Sequence, residues 1–74
     1  MMTKEALERI EQILTNYDSS LRDKAEHAAD MMADWADASQ TETIKYAERY
    51  SVIRIERQRV RDALLEIRVA LKTE

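Results

Sequence analysis

In 74 residues the chain contains neither glycine nor proline, and that double absence limits its fold more than any motif it carries. Tight turns between strands draw on glycine for positive φ, and many loops draw on the fixed φ of proline. A chain without either is poorly equipped to reverse direction often. What remains is 45% apolar and 36% charged residues, rich in strong helix formers, so the expected fold class is all-α.

Cysteine is absent as well, which removes disulfides and thiolate metal sites as ways to hold a small protein together. A single domain over 1–74 lies near the size below which one hydrophobic core is too small, so association with another chain is the remaining source of buried surface. There is no apolar run of about 18 residues that would span a bilayer, and no charged-then-apolar leader. The expected location is the cytoplasm, with no membrane partner.

From Leu7 a three-four spacing runs through Ile10, Leu14, Tyr17, Leu21, Lys24, Ala28, Met31 and Trp35 to Ala38, broken only by Lys24. A second series runs through Tyr46, Tyr50, Ile53, Arg57, Val60, Leu64 and Ile67 to Leu71, broken only by Arg57. Extending the first series would place Glu42 and Lys45 in an apolar seam, so the phase is lost between the two and a turn belongs there. Ser39 followed by Glu42 has the form of a capping box, with Thr41 a competing N-cap; Thr3 is a good N-cap for the first helix. The expected boundaries are helix 1 over about 3–38, a turn near 38–42 and helix 2 over about 41–73. The segment TNYDSS, residues 15–20, is weakly helical, but the spacing keeps its phase across it, which predicts one continuous helix.

Folding the second series back on the first pairs Trp35 with Tyr46, Ala28 with Ile53, Leu21 with Val60 and Ile10 with Leu71, and sets Lys24 opposite Arg57. The flanks then carry compatible charges: Glu11 near Arg68, Asp18 near Arg61, Asp34 near Arg49 and His27 near Glu56. The expected architecture is an antiparallel helical hairpin. Apolar residues left outside its seam, Ile13, Ala63, Leu65, Val69 and Ala70, mark an expected oligomer interface, most simply of a homodimeric four-helix bundle.

Two charged groups invite a functional reading. Glu26, Asp30, Asp34 and Asp37 follow one another at helical spacing, and residues 3–38 carry four basic against nine acidic side chains, whereas 39–74 carry eight against six. An acidic stripe is either a solvated face or a surface for a basic protein partner. Lys24, Arg54, Arg57 and Arg61 could instead form an anion site for a phosphate-bearing ligand or nucleic acid, although a net charge of −3 disfavours the latter.

Metal and catalytic chemistry find little support. Asp23, His27 and Asp30 lie on neighbouring turns, but the chain has a single histidine and lacks the Glu-x-x-His spacing of carboxylate-bridged bundles. No nucleophile-plus-base set and no glycine-rich phosphate loop can be named, so no cofactor, metal or catalytic residue is expected. The function expected from sequence is a small non-enzymatic interaction module, a regulator or inhibitor presenting a rigid helical surface with an acidic tip to a larger protein. The alternative is an oligomeric binder of phosphate-bearing ligands through the arginine and lysine cluster.

Overall fold

A computed structural model describes residues 3–73 as two α-helices, α1 over Lys4–Trp35 and α2 over Gln40–Thr73, packed against each other as a hairpin. Residues 1, 2 and 74, which the single-domain reading also takes in, lie outside the described residues. The hairpin is a rod of 54 × 15 × 14 Å, and no strand is present among the described residues.

Both helices begin on the side chains expected to cap them. Thr3 sits in extended backbone, φ −73° and ψ 159°, and its Oγ1 accepts from the Ala6 amide at 3.1 Å. Ser39 Oγ accepts from the Glu42 amide at 3.2 Å, which satisfies one of the free donors that every helix start leaves. Only that half of the capping box forms. The Ser39 amide donates instead to the Trp35 carbonyl at 2.9 Å, and the Ala38 amide donates to the same oxygen at 3.1 Å. Trp35 thereby closes α1 three residues short of the expected 38, with Ala36 still in right-handed helical backbone. The reversal needs no glycine because no described residue adopts positive φ.

Residues 15–20 are fully helical. Two of their polar side chains, which would otherwise compete for the backbone, are engaged within the helix: Thr15 Oγ1 donates to the Glu11 carbonyl at 2.8 Å, and Gln12 donates to Asn16 Oδ1 at 3.0 Å. Asp18, from the same segment, is held by α2.

The inward stripe of α2 is the expected one, with Tyr46, Tyr50, Ile53, Arg57, Val60, Leu64, Ile67 and Leu71 all buried or half-buried. The stripe of α1 is the expected one at both ends and differs in the middle. Leu7, Ile10, Leu14, Leu21, Ala28, Met31 and Trp35 are buried or half-buried as expected, with Glu11 and Met32 half-buried beside Ile10 and Met31, but Asp18 and Ala25 face inward in place of Tyr17 and Lys24. Ala25 is 8% exposed while Lys24 and Tyr17 stand out to the side. Each anchoring residue can be joined to the next by a step of three or of four, and both give a helical stripe. Apolar spacing selects Ile10, Tyr17, Lys24 and Met31. The fold keeps Ile10 and Met31 half-buried but turns Asp18 and Ala25 inward in place of Tyr17 and Lys24, where α2 brings Arg57 and Arg61 against Asp18.

The core is small. Leu21, at 2% exposure the most buried residue, packs with Val60 and Leu64, and Leu14 and Ile53 close around them. Next to this cluster lies a polar layer in which Arg57 Nε donates to Asp18 Oδ1 at 2.9 Å, the two side chains being 24% and 20% exposed. The layer expected from sequence, Lys24 against Arg57, is therefore replaced by Asp18 against Arg57. A carboxylate opposite an arginine is a bonded layer where two cations would repel.

Candidate functional site

The two flanks of the hairpin differ in chemistry. On one, α2 projects Arg54, Arg61 and Arg68. Arg61 Nε lies 3.7 Å from Asp18 Oδ1, and Arg68 Nε donates to Glu11 Oε2 at 3.2 Å, so both flank pairs expected for this side are present. Leu65, 64% exposed, lines a shallow hollow on this side with Thr15, Asp18, Arg61 and Arg68.

The other flank carries Tyr17, Lys24 and His27 from α1. Here the expected pairs are rearranged. His27 packs edge-on to the Tyr46 ring, with centroids 6.5 Å apart, and Glu56, its expected partner, accepts a short hydrogen bond from the Tyr17 hydroxyl. That bond, then desolvation and the nearby Glu56 charge, raises the Tyr17 pKa above its ordinary 10.0. Asp34 and Arg49 form no ion pair; Arg49 lies over the Tyr46 ring at 5.2 Å from its centroid.

Toward the turn this flank opens into a groove of about 760 Å³ between the helices. Its floor is Ala28, Val52 and Ile53, with Tyr46 and His27 as one wall. Lys24 from α1 and Lys45 and Arg49 from α2 stand on its edges, together with the acids Asp23 and Glu48. Lys45 also lies 5.7 Å from the Tyr46 centroid, so that ring carries a cation on both its sequence neighbours' side and the next turn.

The expected site residues fall as follows. Glu26, Asp30, Asp34 and Asp37 are all exposed, along the outer face of α1 up to the turn, and none takes part in an ion pair among the described residues. Of Lys24, Arg54, Arg57 and Arg61, the three arginines lie on one side of the hairpin and Lys24 is apart from them. Arg57 and Arg61 share Asp18, Arg54 lies over the Tyr50 ring at 5.8 Å, and Lys24 is on the opposite flank in the groove. Ile13, Leu65 and Val69 are exposed and Ala63 and Ala70 half-buried, but they do not share a face, since Leu65 belongs to the arginine flank.

The groove itself is what sequence reasoning missed. Lys24 signals it, as a cation at a position the apolar spacing claims, but the flank pairing joins Arg49 to Asp34 and leaves Lys24 and Arg49 apart. Among the described residues no group of three or more metal-ligating side chains is brought together, and no helix is long and apolar enough to cross a membrane. Comparison with protein-family models, with curated proteins and with solved structures finds no match for this chain.

Proposed function

We propose that the hairpin is a small non-enzymatic interaction module, a regulator or inhibitor that presents a rigid helical surface with an acidic tip to a larger, basic protein surface. The observation that carries this reading is the state of the acidic stripe. Glu26, Asp30, Asp34 and Asp37 are solvent-exposed and unpaired among the described residues, and Asp34 lies in the last turn of α1, which holds no basic residue. Acidic groups at a helix C-terminus face the negative end of the helix dipole, and like charges a turn apart repel, so the stripe lowers the stability of the hairpin that carries it. A basic partner offsets both costs.

The exposed apolar side chains support association more generally. Among the described residues six hydrophobics are buried, while seven large ones, Ile13, Leu65 and Val69 among them, stay exposed. A homodimeric four-helix bundle formed at the open end of the hairpin would cover part of that surface. The alternative reading, a binder of phosphate-bearing ligands through Lys24, Arg54, Arg57 and Arg61, has less support, because two of the arginines are held by one aspartate.

The test uses affinity purification from the native host with the wild-type chain and with an Asp30→Lys/Asp34→Lys variant as bait. A partner that is retained by the wild type, is released by salt and is lost from the variant, while circular dichroism reports unchanged helicity, is the expected result. A partner retained equally by both baits would refute the acidic tip. Light scattering of the purified chain gives the mass that decides the dimer.

A further inference from the structure

The groove beside Tyr46 sets two cations from opposite helices, Lys24 and Arg49, at the edges of one apolar floor. Neither takes part in any ion pair among the described residues. On the other flank Arg57, Arg61 and Arg68 each meet a carboxylate of α1, and Arg54 lies over the Tyr50 ring. Arg49 lies over the Tyr46 ring, 5.2 Å from its centroid, which places its guanidinium without supplying a counter-ion, and like charges lining one groove repel unless an anion enters between them. The groove's own acids do not fill that role: Asp23 lies 3.7 Å from Arg22, and Glu48 is exposed and bonded to neither cation. Val52, on the floor, is 63% exposed, so the place between the cations is apolar and open.

We propose that this groove takes an amphipathic helix of a partner protein, one with a carboxylate side chain beside its apolar stripe. The apolar face lies on Val52 and Ile53, and the carboxylate sits between Lys24 and Arg49. A groove between two antiparallel helices has the shape that a third helix fills in a bundle, and helix-in-groove recognition reads an apolar stripe plus a few flanking charges. Arginine supplies a planar fork for the carboxylate and lysine a compact charge opposite it. The inference rests on the reading of the chain as an interaction module and adds a second surface, opposite in sign to the acidic tip.

The experiment uses the full chain and a fluorescein-labelled helical peptide of about 18 residues, long enough to span roughly 27 Å. One peptide carries leucines along a seam with glutamates beside it, and its twin carries lysines in place of the glutamates. At low salt the glutamate peptide is expected to bind about tenfold more tightly, the scale of one or two exposed ion pairs, even though the chain itself is acidic. A Lys24→Glu/Arg49→Glu variant reverses the preference, and Val52→Asp, at an exposed position that leaves the fold intact by circular dichroism, weakens both peptides. Asp30→Lys/Asp34→Lys leaves peptide binding unchanged, so a failure of the acidic tip and a failure of the groove are separable. Equal binding of the two peptides, or of neither, overturns the proposal. So does displacement of the peptide by octanoate at lower concentration, which assigns the groove to a small amphiphile. A dimer that dissociates on Lys24→Glu/Arg49→Glu overturns it as well, by assigning the groove to a second copy.

Discussion

Both flanks of this hairpin carry cations from α2, and they reach different electrostatic outcomes. On the arginine flank, Asp18 and Glu11 stand in the α1 stripe and draw Arg57, Arg61 and Arg68 inward, so each of these cations is matched. On the groove flank, the α1 residues beside the seam are Tyr17 and Lys24; the first takes Glu56 and the second shares its groove with Arg49. On one flank ion pairs between the helices hold them in register, while on the other Lys24 and Arg49 stand without a counter-ion over an apolar floor.

Mutations can break that contrast. Leu21→Ala sets the scale, because Leu21 is the most buried side chain and packs with Val60 and Leu64 in the core; a loss of about 2–5 kcal/mol is expected, and urea titration followed by circular dichroism measures it. A hairpin this small has little more than that to lose, so a largely unfolded variant is consistent and a change below about 1 kcal/mol is not.

Asp18→Ala comes next. It removes the acceptor of a bond to a half-buried arginine and leaves Arg57 facing the seam without a partner, which costs about 1–3 kcal/mol. The seam itself is tested at the same scale: Ala25→Leu overfills a buried position and loses about 1–3 kcal/mol, whereas Lys24→Leu one residue away changes stability little. The opposite ranking would restore the stripe read from apolar spacing.

Lys24→Glu sharpens the comparison because its sign is unusual. Replacing a cation beside Arg49 by a carboxylate gives the groove flank the kind of pair the other flank already has, and a gain of up to about 1 kcal/mol is expected at low salt, shrinking as salt is added. A loss at low salt would mean that Lys24 is already neutralised and that the flanks are alike.

The smallest effect is that of Tyr17. Its pKa is raised in the folded chain by the bond to Glu56, so the contribution of that bond is complete below the ordinary value of 10.0 and is lost as pH rises through the folded value. Ultraviolet titration of the phenolate is expected to show one tyrosine ionising later than in a Glu56→Ala variant, which lacks the acceptor. Identical curves would remove the bond.

Some of this architecture is legible in the chain as written. The helical class follows from the missing glycine and proline together with the abundance of helix formers, and the start of each helix follows from Thr3 and Ser39. The α2 stripe is legible because seven of its eight members are apolar or aromatic, leaving one way to draw it. Propensity, capping and strong periodicity act over a few residues, and sequence spacing reports them directly.

What sequence could not decide is how α1 joins its anchoring residues. Tyr17 or Asp18 and Lys24 or Ala25 are equally good helical choices, and apolar character favours Tyr17 at the first step and Ala25 at the second. Asp18 faces inward where α2 brings Arg57 and Arg61 against it. A half-buried carboxylate is costly alone and acceptable when paired, and the partner lies on the other side of a turn, far away in sequence. The tertiary structure therefore chose the face of α1, and in choosing it moved Lys24 out of the seam and into the groove with Arg49.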